Sequence, residues 1–170
     1  MNDNRTFAEA LIASTPSPDD PNYALFDPFV GSWTFNLYDH ASGREVLAGK
    51  GEWHFSWILD GRVMQDVWEF YANEPAPKLI ERGTTLRMYD RNRKNWRIVF
   101  LSPMRGFVDT LTASRVGSEI VLQGIERSGY PCLWIFSQIE KNSFQWRSEE
   151  THDHGRTWTP LVVMKLTRRH

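Results

Sequence analysis

From Gly31 to Arg168 the chain repeats one pattern, short runs of alternating apolar and polar residues that each end in a turn signal. Alternation with period two sends successive side chains to opposite faces, which makes each run a half-buried strand. The pattern predicts ten strands, over about 32–39, 44–57, 61–71, 80–90, 95–102, 107–115, 118–126, 132–140, 143–151 and 156–168. The separators are short: Ala41-Ser42-Gly43, Asp60-Gly61, Asp90 to Asn95, Val116-Gly117, Ser128-Gly129 and Lys141-Asn142. Connections of that length join antiparallel neighbours in an up-and-down meander. Closing the meander removes both exposed sheet edges. The expected fold is therefore all-β, an antiparallel up-and-down barrel. A two-sheet sandwich is the alternative, since periodicity alone does not show closure. No long helical pattern interrupts the strands, which argues against a parallel α/β fold.

Inside the second strand, Gly49 and Gly51 stand two residues apart, just before Trp53, Phe55 and Trp57. Paired glycines within a strand mark the bend or bulge that a barrel needs at a corner. Ala72 to Lys78, with Pro75 and Pro77, and Ser102-Pro103-Met104-Arg105-Gly106 are the loops expected at a barrel mouth. Ahead of the strands, Thr6 to Ser14 predicts a short helix with Phe7, Leu11 and Ile12 on one side. The prolines at 16, 18 and 21 break it. The organisation expected is an N-terminal arm over 1–25 and a barrel domain over 26–170.

A chain of 170 residues suits one domain with a real core. Its formal net charge is −1 with Lys and Arg scattered, whereas binding phosphate backbones needs a concentrated basic face, so nucleic acid is not expected as a partner. No apolar run approaches the ~20 residues of a membrane span. The first residues lack the basic and apolar regions of a secretory signal. Cys132 is the single cysteine and has no internal disulfide partner, which fits a reducing compartment. A cytoplasmic protein is the expectation.

Aromatic residues make up 14 % of the chain, with eight tryptophans, enough either to fill a core or to line a cavity. If Trp33 points inward and alternation holds, Trp53, Phe55 and Trp57 do too. Their companions are Asp66, Trp68 and Phe70, then Arg87 and Tyr89, Trp96 and Phe100, and Trp146 with Glu150. From these, Trp57, Asp66, Trp68, Arg87, Tyr89, Trp96, Phe100, Trp146 and Glu150 form the candidate ligand-binding set. A slip of one residue would instead turn Glu52, His54, Gln65, Glu69, Arg97 and Arg147 inward. A buried charge is costly unless paired, so an interior Arg87 beside a carboxylate implies an ion pair or a group that orients a ligand. For any one of these charges a solvent-facing position is the default.

Thr151-His152-Asp153-His154-Gly155-Arg156-Thr157-Trp158 matches the Asp-box, a hairpin in which Asp binds turn amides, Gly supplies an unusual φ and Trp packs beneath. Its expected role is structural. His152 and His154 lie two apart, with Glu149, Glu150 and Asp153 nearby, but no recognised ligand spacing is present and no metal is expected. Nor is there a nucleophile elbow, a phosphate-binding loop or a dinucleotide fingerprint.

Gly31-Ser32-Trp33 opens the first strand as Gly-x-Trp does in lipocalins and their calycin relatives. There the tryptophan closes one barrel end and a basic residue of the last strand packs across it, a part Arg168 or Arg169 could play. Over Phe26 to Arg169 the chain resembles a bacterial family of calycin-like (lipocalin-like) barrels whose function is unassigned. The resemblance rests on Phe29-Val30-Gly31-Ser32-Trp33, Leu59-Asp60-Gly61-Arg62, Thr84-Thr85-Leu86-Arg87-Met88-Tyr89-Asp90 with Trp96, and Gly155-Arg156-Thr157-Trp158. It implies a barrel of eight to ten strands with an internal pocket. Ten-stranded calycin-like barrels include the haem-binding nitrobindins. This chain lacks their glycine-rich opening after the first tryptophan, and His170 at a fraying terminus is a poor axial ligand, so no cofactor is expected.

The function expected first is binding of a small hydrophobic or aromatic ligand inside the barrel. The alternative is a cofactor-independent lyase, isomerase or hydrolase acting on an aromatic or polyketide-like molecule in the same cavity. There His54 with Glu52 or Glu69, or Arg87 with Asp66, would supply acid, base and orienting groups. A filled core with a working surface is the third reading. Whether the chain is catalytic, and whether it pairs as a homodimer, stay open at this point.

Overall fold

The computed structural model describes residues 6–12, 20–40, 42–72 and 77–169. Ten antiparallel strands form a closed barrel: β1 (Gly31–Asp39), β2 (Val46–Ile58), β3 (Val63–Ala72), β4 (Lys78–Asp90), β5 (Asn95–Ser102), β6 (Phe107–Val116), β7 (Glu119–Ile125), β8 (Pro131–Ser137), β9 (Ser143–Glu150) and β10 (Thr159–Arg168). Each strand pairs with its neighbours in sequence, and β1 pairs with β10 to complete the ring, Trp33 opposite Arg168. Closure leaves no sheet edge, and the sandwich alternative is set aside.

The strand ends move where local chemistry outweighs alternation. β10 begins at Thr159 because the turn centred on Asp153 takes the preceding residues. β8 stops at Ser137, where Gln138 adopts a φ of 49°. At Gly49 and Gly51 the backbone of β2 comes so close to β3 that a Cβ would meet the carbonyls of Tyr71 and Glu69 and the rings of Phe70 and Phe35. The neighbouring register shift at Leu37/Tyr38 is the corner that the glycine pair predicts.

Successive hairpins place the turns at alternate ends of the barrel. One end holds the turns after β2, β4, β6 and β8, together with a 3-10 helix, Tyr23–Phe29, that plugs it. Tyr23, Phe26 and Phe29 of the plug are buried: Phe26 meets Trp96 edge-on at 4.9 Å, and Phe29 lies 4.7 Å from Phe136 and 4.8 Å from Phe144. Two indoles fix the plug by hydrogen bonds, Trp33 Nε1 donating to the Phe29 carbonyl (2.7 Å) and Trp57 Nε1 to Asp27 Oδ1 (2.8 Å). Arg168 covers Trp33 with its guanidinium 4.0 Å from the ring and donates to the carbonyls of Pro28, Val30 and Lys141. This is the basic partner that the lipocalin resemblance implies.

The predicted N-terminal helix is seen as α1 (Phe7–Ile12), whose Leu11 carbonyl accepts from the Leu59 amide at the plugged end. Residues 13–19 with the first proline breaks, 73–76 of the long loop, and His170 lie outside the described residues. No helix among the described residues is long and apolar enough to cross a membrane.

Candidate functional site

The inward faces of the strands carry aromatic residues in layers, and the layers differ between the two ends. Toward the plug, Trp33, Phe55, Phe136 and Phe144 fill the bore. Toward the other end they part around a cavity of about 310 Å³. Its wall is made of the rings of Trp53, Trp68, Phe70, Phe100, Trp134 and Trp146 with Leu37, Val162 and Met164. Asp39, Ala48, Arg105 and Glu126 belong to the end that carries the turns after β1, β3, β5, β7 and β9, which makes that end the mouth. The rings brace one another: Phe100 meets Trp134 edge-on at 5.4 Å, and Trp146 meets Trp134 at 5.8 Å and Trp53 at 6.2 Å. Gly83 contributes to the shape, because a Cβ there would press on Trp68 and Phe100.

The floor is polar and buried. Asp66 on β3 and Arg87 on β4 form a buried pair, Arg87 Nη2 donating to Asp66 Oδ2 at 2.6 Å, and the Thr85 amide donates to Asp66 Oδ1 at 2.8 Å. The Arg87 guanidinium also lies 5.2–5.9 Å from the ring centres of Phe26, Phe55 and Phe136, between plug and cavity. Among the described residues, Nε and Nη1 of Arg87 and Nε1 of Trp53 have no hydrogen-bond partner. Buried donors are nearly always satisfied, by protein or by water, so these three are hydrogen-bonding groups that the protein itself leaves open at the floor.

The mouth carries several carboxyls, with Arg105 and Arg127 among them. Glu126 Oε1 accepts from Trp134 Nε1 at 2.7 Å, and burial pushes its carboxyl above the usual glutamate value, with the nearby charges of Asp109 and Glu150 adding to the effect. Burial likewise raises Asp109. Glu81, also buried, accepts from Ser102 Oγ at 2.8 Å and pairs with Arg105 at 2.6 Å. Cys132 lies beneath this group, its thiol pushed up to about 12 by burial and then by Glu126 and Asp109. Such a thiol is inert rather than nucleophilic.

Of the nine residues picked out in the sequence, Trp68, Arg87, Phe100 and Trp146 line this cavity, and Asp66 stands behind Arg87. Trp57, Tyr89 and Trp96 pack instead around the plug, with Tyr23 against Tyr89 and Trp96. Glu150 is buried near the mouth, where it accepts from Ser128 Oγ and lies 3.1 Å from His152. Trp134 and Glu126 were not in that set. Trp134 was legible from the alternation Cys132, Trp134, Phe136, whereas Glu126 follows the end of β7, where alternation no longer assigns a face.

The acid–base pairing of His54 with Glu52 lies on the outer surface of the sheet. His54 Nε2 is 3.3 Å from Glu52, which also pairs with Arg169, and Nδ1 is 2.9 Å from Ser32 Oγ. Glu69 is bound there by Tyr71 and Arg82. These groups do not face the cavity. The Asp-box turn is self-contained: Asp153 accepts from the amides of Arg156 and Thr157 and the hydroxyls of Thr151 and Thr157. The His152 ring lies 3.8 Å from the Tyr130 ring, tilted by 42°, and His154 sits in the turn at φ 60°.

No protein-family model matches the chain, and no curated protein matches it. Solved structures do. The chain is similar to Rv2717c from M. tuberculosis at 14 % identity and a TM-score of 0.61, over 89 % of this chain and 99 % of that one. It is also similar to the S-type phycobiliprotein lyase CPES from Guillardia theta at 12 % identity and a TM-score of 0.56, over 91 % and 99 %. At these identities the likeness is one of fold: the chain is a ten-stranded calycin-like barrel.

Proposed function

We propose that the protein binds a small hydrophobic or aromatic molecule inside the barrel, through the mouth. One observation carries this reading: a cavity of about 310 Å³ walled by six aromatic rings inside the barrel. Ligand pockets start at about 300 Å³ and are mostly apolar with a few placed polar groups, which is the composition found here. Burying an aromatic ligand against these rings removes apolar surface from water and adds ring–ring contacts of about 0.5–1.5 kcal/mol each.

Glu126 supports a second reading. Burial raises this carboxyl above the usual glutamate value, which suits a proton-transfer group on a cavity wall, as a cofactor-independent lyase, isomerase or hydrolase would require. The similarity to a phycobiliprotein lyase supports a scaffold that also serves catalysis. In this reading Arg87 and Trp53 orient the substrate and Glu126 moves the proton. The buried single cysteine suits a cytoplasmic location, and the scattered charge supports a small molecule rather than nucleic acid as the partner, whether the barrel acts alone or as a homodimer.

Native mass spectrometry of the purified protein tests the binding reading, with thermal shift against neutral aromatic compounds. A co-purifying molecule, or a saturable rise in Tm, supports it. An unliganded mass with no shift across the panel contradicts it.

A further inference from the structure

The polar groups of the cavity are sorted by type. The unpartnered polar atoms of its lining are all donors, Nε–H and Nη1–H of Arg87 and Nε1–H of Trp53, none with a partner among the described residues. The two side chains flank the same rings. Trp53 lies 4.8 Å from Phe55 and 5.8 Å from Phe136, and the Arg87 guanidinium lies 5.4 and 5.9 Å from those two. Donors in such a place call for an acceptor, because a buried N–H left unmade costs more than a made one gains.

Charge decides which acceptor. Each arginine on the lining already has its own carboxylate, Asp66 for Arg87 and Glu81 for Arg105. The other charged side chains of the lining, Asp39 and Glu126, are both acidic. A ligand anion on the floor would add an uncompensated charge to a buried pair that is already neutral. A neutral oxygen would satisfy the same N–H groups and add no charge. Resting on the ligand-binding reading above, we propose that the cavity selects neutral aromatic molecules that enter carbonyl first, the oxygen accepting from Arg87 and Trp53.

Calorimetric titration with three naphthalenes of one shape tests this: 2-acetylnaphthalene, 2-ethylnaphthalene and 2-naphthoate. The ketone is expected to bind about tenfold more tightly than either of the others, the difference made by satisfying buried donors. Trp53→Phe keeps an aromatic wall but is smaller and removes one donor, so it should weaken the ketone more than the hydrocarbon and narrow the gap between them. Equal binding of ketone and hydrocarbon overturns the proposal and leaves the cavity reading standing. Tightest binding by 2-naphthoate does the same and makes the floor an anion seat. If none of the three binds, the ligand-binding reading falls together with the proposal.

Discussion

Arg87 and Asp66 hold each other inside the barrel at 2.6 Å, with side chains 2 % and 0 % exposed. They come from adjacent strands and sit diagonally, two residues out of register, Asp66 opposite Thr85 and Met64 opposite Arg87. A pair this dry does little for stability as a whole, but removing one partner strands the other. Asp66→Asn should therefore destabilise the fold by about 3–5 kcal/mol in urea titration. The double variant Asp66→Leu/Arg87→Met should recover most of that loss, because it leaves no charge behind. Equal losses in the two variants would mean that packing, not charge, fixes this site.

Arg168 closes the plugged end with a ring face and three carbonyls at once. Lysine keeps the charge but not the planar fork that reaches all of them. Arg168→Lys should cost about 1–2 kcal/mol, which lowers Tm by roughly 2–8 °C in a chain of this size. An unchanged Tm would show that Trp33 and the plug hold this end alone.

Gly51 tests the corner in β2. A methyl group there would run into the Glu69 carbonyl and the Phe35 ring. Gly51→Ala should destabilise by about 1–3 kcal/mol through overpacking, read by thermal unfolding. Tolerance would mean that β2 can move away from β3 and the Phe35 ring at this point.

Two sets of carboxyls give opposite pH dependences. Glu126 and Asp109 are raised above 4.5 and 3.8 by burial, so over the range from these values up to the raised ones the folded chain keeps protons that the unfolded chain has lost. There stability falls as pH rises. Asp153 is held at about 2, first by the Thr157 amide, and its contribution is present above 3.8 and lost as pH falls from there toward 2. In Tm measured against pH, Glu126→Gln should flatten the decline above pH 4.5 and leave the acid limb. Asp153→Asn should do the reverse.

Cys132 is buried and its thiol is pushed up to about 12. Labelling by an aromatic disulfide at pH 8 should be negligible in the native protein and should follow the rate of unfolding as urea is added. Rapid native labelling would mean that the cavity opens down to β8.

The fold was legible because its signal is local. Alternation and short turns give the ten strands, and Gly31-Ser32-Trp33 with Arg168 marks the plugged end. The division of the interior was not. Trp57, Trp96 and Trp68 carry the same inward signal, yet the first two pack around the plug and only the third faces the cavity. What separates them is the 3-10 helix Tyr23–Phe29, which fills one half of the bore, and no periodicity in the strands reports a segment that arrives from outside them. The same holds for Arg87. Its alternation points it inward, but its unpaired donors exist only once Asp66 has taken one edge of the guanidinium.

The central claim is that the mouth half of the barrel is a binding cavity. Fluorescence titration with N-phenyl-1-naphthylamine, a neutral probe that brightens on leaving water, tests it most directly when wild type is compared with Ala48→Trp. Ala48 lines the cavity, and an indole there would occupy the ligand's space on a strand that accepts aromatic residues. The account predicts saturable one-site brightening in the wild type, lost in a variant whose circular dichroism and Tm show it folded. Equal brightening in both proteins would place the probe elsewhere and contradict the cavity.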